Sequence, residues 1–224
     1  MKRLLIFCAL GLSAFAATAG TIHGVVSAKG KAGLPEAGSP GQYASRRFKF
    51  AERINYDEMH DFVVYIKGPL PGARAPEKAA VIRQKDAAFV PHVLPIMAGT
   101  KVEWPNEDEI FHNVFSKSDA KSFDLDIYRK GEPAKVVLFD KPGQVDVFCS
   151  IHSRMSCVVL VLENPCFAVT DSGNHYAITN IPPGAYQLVA WQERLPNKVI
   201  PITIKGGEDV RLDITMGVEN LPKY

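Results

Sequence analysis

Seven consecutive residues of this 224-residue chain, Cys149-Ser150-Ile151-His152-Ser153-Arg154-Met155, carry a thiol, an imidazole and a thioether. Soft sulfur ligands combined with imidazole suit copper, and two imidazoles, one thiolate and a weak axial thioether make a mononuclear site of the blue-copper kind. That set needs a second histidine from elsewhere. His112, in Glu109-Ile110-Phe111-His112-Asn113-Val114-Phe115, is the best candidate, placed where a strand begins. Other chemistries would use parts of the same set. Zinc could take His112, Cys149 and His152, but no fourth hard or thiolate ligand accompanies them, and Met155 is a poor zinc ligand. A Cys149–His152 nucleophile would need an orienting acid and an oxyanion elbow, and neither is present. A second cysteine in the loop would be needed for a binuclear copper centre, and none of the six histidines forms a His-x-His pair.

Such side chains need elements to hold them. Phe62-Val63-Val64-Tyr65-Ile66, Val136-Val137-Leu138-Phe139, Val145-Asp146-Val147-Phe148 and Val158-Val159-Leu160-Val161-Leu162 read as strands, β-branched or alternating and bounded by turn residues. Pro142-Gly143 supplies a turn between two of them. Cys149 to Met155 therefore lies in a loop between strands. Arg46 to Met59 suits a short helix or an irregular excursion, and Lys29 to Gly41 a surface loop. Beyond Glu163-Asn164-Pro165 come further strands, Phe167 to Asp171, Tyr176 to Ile178, Ala185 to Trp191 and Val199 to Ile204, with Ile181-Pro182-Pro183-Gly184 as a turn. Short strands and frequent turns predict an all-β chain built of antiparallel sandwiches.

Composition agrees. Apolar residues at 46% and charged residues at 22% are ordinary globular values. Lys2 and Arg3, the apolar run Leu4 to Ala16 and the small residues Ala17-Thr18-Ala19 form a secretory signal peptide with cleavage expected after Ala19. Its removal leaves 24 basic residues against 24 acidic ones, a balance that argues against a nucleic-acid binder, which would normally show a basic stripe. No other stretch is long and apolar enough to span a membrane. The leader also takes Cys8 with it. Cys157 and Cys166 flank a strand whose extended length of about 30 Å far exceeds the separation of about 7 Å that a disulfide tolerates. Two separate, buried thiols are expected.

Taken together, these motifs carry a family resemblance. Lys101-Val102-Glu103-Trp104-Pro105-Asn106-Glu107-Asp108 followed by His112-Asn113-Val114 resembles the upstream half of a plastocyanin- or amicyanin-type cupredoxin, and Cys149-x-x-His152-x-x-Met155 is similar to the short ligand loop of amicyanin. The two-part arrangement resembles the periplasmic methylamine utilization or plastocyanin-like family, with a carboxypeptidase-regulatory-like module after the copper domain. The resemblance implies a Greek-key sandwich over 20–163, with 20–60 as its amino-terminal extension, and a small β module over 164–224. It implies one type 1 copper held by His112, Cys149, His152 and Met155, with Asn113 tying the two ligand loops together. It further implies a periplasmic one-electron carrier, not an enzyme, that meets a redox partner transiently near His152. A copper carrier or sensor without electron traffic, or an assembly module, would use the same sandwich. One residue departs from the pattern: many cupredoxins have proline before the second histidine, where this chain has Ile151.

Overall fold

A computed structural model of the protein describes residues 18–30 and 55–217. The leader through residue 17, most of the Lys29–Gly41 loop and most of Arg46–Met59 lie outside the described residues; 55–59 form a turn. Among the described residues there is no helix, and so none long and apolar enough to cross a membrane. The chain is all-β.

Its strands in chain order are β1 (Gly20–Lys29), β2 (Val63–Ile66), β3 (Ala80–Val81), β4 (Arg83–Lys85), β5 (Ala88–Val90), β6 (Val93–Met97), β7 (Thr100–Trp104) and β8 (His112–Lys117). Then come β9 (Ser122–Tyr128), β10 (Lys135–Phe139), β11 (Gly143–Phe148), β12 (Ser156–Leu162) and β13 (Phe167–Val169). β14 (His175–Ile181), β15 (Gly184–Gln192), β16 (Leu195–Ile204), β17 (Asp209–Arg211) and β18 (Ile214–Gly217) follow.

The middle strands make one sandwich. A five-stranded sheet in the order β6-β12-β11-β8-β9 faces a three-stranded sheet β10-β7-β3, with the hairpin β4-β5 beside them. Between them lies a core containing Trp104, Tyr128, Phe139, Val145, Val147 and Val159. The inward residues alternate along β11, as period-2 amphipathicity requires.

The amino-terminal strands pair outside that sandwich. β1 pairs with β14, β17 and β18, while β2 pairs with β13 and β15. Within the 20–60 segment, β1 is thus paired with the carboxy-terminal strands. The physical reason is visible in β1, whose Ile22, Val26 and Ala28 bury one face into the core lined by Ile178, Ile181, Leu188 and Met216. The short carboxy-terminal strands gain a full apolar layer by pairing with that strand.

β12 joins the two layers of packing. Cys157, Val159 and Val161 point into the first sandwich, whereas Val158, Leu160 and Leu162 pack with Val63, Val93 and Trp191. The strand is covered on both faces, which explains its unbroken apolar run. Polar links flank this joint: Trp191 Nε1 donates to Gln144 Oε1 at 3.3 Å, and His92 Nε2 meets Glu193 Oε2 at 2.9 Å. Leu160→Ala, which empties part of the joint, should lower the unfolding free energy by about 2–5 kcal/mol in a urea titration.

Candidate metal centre

The loop between β11 and β12 closes on itself through its backbone. Cys149 N donates to Met155 O at 3.1 Å, and Met155 N donates to His152 O at 3.0 Å. These bonds fix the ends of the Cys149–Met155 segment at the end of the sandwich. His112 opens β8, the strand hydrogen-bonded to β11, so pairing delivers the upstream histidine beside the loop.

One ligand atom from each of His112, Cys149 and His152 lies within 4.8 Å of the others. The two histidine Nδ1 atoms are 3.1 Å apart, and Cys149 Sγ is 3.7 Å from His152 Nδ1. His112 and Cys149 are buried, and His152 is half-buried. Two imidazole nitrogens and a sulfur converging in so small a space match the donors copper favours, and a cation accepting all three lone pairs removes their mutual repulsion. Met155 is buried in the same core as Cys149. Arg154 and Ile151 are exposed beside it.

Asn113 makes three contacts. Its backbone N–H donates to Cys149 Sγ at 3.5 Å, its Oδ1 accepts from Ser150 N at 3.4 Å, and its Nδ2 donates to Asp124 Oδ1 at 2.8 Å. Asn113 thus bridges β8 to the loop. Asp124 is a partner that no motif pointed to. It reaches Asn113 across β9, where the register with β8 shifts between Asn113 and Phe115. The Asn113 amide, with the Asp126 N–H, holds the Asp124 carboxyl below the usual carboxylate range.

Asp108 is a second contact beyond the expected set. Its Oδ2 lies 2.8 Å from His112 Nε2, and its carboxylate also accepts from the backbone N–H groups of Asp86 at 2.7 Å and Ala87 at 2.9 Å. Burial pushes the Asp108 carboxyl up, but the bonds from Ala87, His112 and Asp86 outweigh it and the net direction is down. The spacing of Asp108 four residues before His112 was the available signal for this contact.

The remaining described histidines lie apart from this cluster, each beside a carboxylate: His23 with Asp209, His60 with Asp61, His92 with Glu193 and His175 with Asp171. Cys157 and Cys166 are free and buried, as their spacing requires.

The family model of copper-binding proteins, plastocyanin/azurin family, matches residues 76–162. This stretch is a cupredoxin domain. The match starts ahead of β3 and ends with β12, leaving out β1 and β2 as well as every strand after β12. The cofactor of the cupredoxin domain is one copper ion, and His112, Cys149 and His152 are the grouped donors within it. No curated protein matches the sequence. Among solved structures, the copper-containing nitrite reductase from Thermus scotoductus SA-01 is 29% identical over 43% of this chain and 25% of its own, with a TM-score of 0.37. The chain thus spans a quarter of that enzyme's length. A purple cupredoxin from Nitrosopumilus maritimus is 26% identical over 37% of this chain and 98% of its own, with a TM-score of 0.33. A copper(I) form of an amicyanin variant is 22% identical over 44% of this chain and 97% of its own, with a TM-score of 0.35.

Two measurements check the geometry. Asn113→Ala strands the Ser150 N–H and frees Asp124, so thermal unfolding of the metal-free protein should show a loss of about 1–3 kcal/mol. Burial pushes the Cys157 thiol well above its ordinary value, with Glu193 and Asp146 adding to the effect. Its thiolate is therefore scarce at pH 8, and iodoacetamide with mass spectrometry should find Cys157 unmodified in the folded protein and alkylated after denaturation.

Proposed function

We propose that this protein is an exported, type 1 copper protein that carries single electrons, with His112, Cys149 and His152 as equatorial ligands and Met155 as the weak axial one. When bound, copper supplies a one-electron couple between its cuprous and cupric states. The chain's own residues supply a fixed donor set. Backbone bonds hold the loop, Asn113 N–H directs a hydrogen bond at the sulfur, and Asp108 orients His112. A site held this way changes little between oxidation states, which keeps the rearrangement accompanying electron transfer small.

The observation that carries the reading is the convergence of two Nδ1 atoms 3.1 Å apart on a buried thiol. Exposure suggests the electron's route. His152 is half-buried, Ile151 beside it is 46% exposed, and the loop entering His112 exposes Ile110 and Phe111. Such an apolar rim suits brief contact with a redox partner, with His152 as the port. The arginine-lysine leader and small-residue cleavage site support export, to the periplasm in a Gram-negative cell. We assign 76–162 to the copper domain and the strands of 20–66 and 164–217 to a second β module of the carboxypeptidase-regulatory-like kind. The protein itself is not an enzyme.

Adding Cu(II) to the purified protein should produce an intense thiolate-to-copper band in the visible spectrum, absent in Cys149→Ser. In Met155→Leu the band should persist while the midpoint potential rises, because a thioether is lost from the axial position. A folded, colourless wild-type protein would overturn the reading. A colourless copper complex would favour copper carriage without electron traffic.

A further inference from the structure

The aspartate behind His112 has a geometry that goes beyond filling space. The His112 side chain is 0% exposed and that of Asp108 13%. A carboxylate only accepts hydrogen bonds, so at 2.8 Å from Asp108 Oδ2 the proton of a neutral His112 ring sits on Nε2. The lone pair then falls on Nδ1, the atom facing His152 and the copper position. Asp108 itself has little freedom to swing away. Both its oxygens are engaged by the N–H groups of Asp86 and Ala87, the two turn residues between β4 and β5, each with φ +54°. Its own N–H donates to Asn106 Oδ1 at 2.9 Å, and Asn106 Nδ2 donates to the carbonyls of Ile110 at 3.0 Å and Tyr128 at 3.1 Å. The brace behind the imidazole is therefore anchored to the hairpin β4-β5, to β9 and to the loop before β8.

We propose that Asp108 is a positioning residue that fixes the metal-ligating tautomer of His112 and, by making that imidazole a stronger donor, lowers the reduction potential of the copper. A more basic imidazole stabilises the cupric ion more than the cuprous one. Outer partners of this kind are typically worth about 10–100-fold in metal affinity. The inference rests on the copper reading given above for its second half, while its first half concerns the metal-free protein alone.

The test has two arms. In metal-free wild-type protein, nitrogen-15 correlation spectra should show His112 protonated on Nε2, and in Asp108→Ala that preference should weaken. A wild-type His112 protonated on Nδ1 overturns the proposal, whether or not the protein takes up copper. In the second arm, Asp108→Asn should lose about 10–100-fold in Cu(II) affinity with a smaller loss for Cu(I). Its potential should rise by about 59 mV for each tenfold change in the ratio. Glu109→Gln, which removes a neighbouring carboxylate that is 85% exposed, should leave the potential in place. An unchanged potential in copper-loaded Asp108→Asn, or an equal shift in Glu109→Gln, overturns the proposal. Should Asp108→Asn fail to fold, the tautomer in the wild-type protein still decides. Wild-type protein that takes up no copper refutes the copper reading separately.

Discussion

Asn113 spans the gap between β8 and the loop after β11, and the metal centre depends on that span. Its amide oxygen takes the Ser150 N–H, its backbone N–H approaches the Cys149 sulfur, and its amide nitrogen is held by Asp124. None of these bonds is strong alone, since an ordinary intramolecular hydrogen bond contributes about 1 kcal/mol net. Their value lies in direction. The carboxylate of Asp124 can only accept, which dictates which end of the Asn113 side chain faces it and which end is left for the loop. A choice made at a largely exposed aspartate on β9 thus determines how the cysteine segment meets the histidine strand.

The same loop is continuous with β12, the strand packed on both faces. Val159 and Val161 belong to the cupredoxin core, and Leu160 and Leu162 to the joint with Trp191 and Val63. The loop end at Ser156 therefore starts from backbone that neighbours on two sides hold in place. Close-packed interiors resist displacement, so the packing of Val63 and Trp191 on β12 backs the copper loop without touching a ligand. This gives β2 and β15 a mechanical part in the cupredoxin domain.

Much of this was legible in the residues. Each strand read from β-branched runs, from Val136–Phe139 to Val199–Ile204, is present with its ends moved by a few residues. The loop from Cys149 to Met155 sits between two strands and meets His112, because both halves of the site belong to neighbouring strands of one sheet and local pattern signals each. What escaped notice was long-range. β1 alternates cleanly, yet its pattern carries no sign of which sheet it joins, and its partners lie at the far end of the chain. Asp124 reaches Asn113 through a register shift that periodicity does not encode. Asp108 stood at a helpful spacing from His112, but a carboxylate four residues before a histidine on irregular chain acquires meaning only once the turn at Asp86 and Ala87 has pinned it.

The partnership of β1 with the end of the chain also bears on the order of assembly. The cupredoxin strands β3 to β12 are contiguous, so all their partners are at hand as soon as Leu162 has been made. β1 instead forms bonds such as that from Val25 N to Asp213 Oδ1, across 188 positions of sequence. Contacts that distant close slowly, because a long loop must be ordered first. A chain emerging amino-terminus first would hold β1 as an unpaired, half-apolar edge while the copper domain matured, the kind of exposed strand that invites mispairing. The copper domain would be ready for its metal before β1 had met its partners.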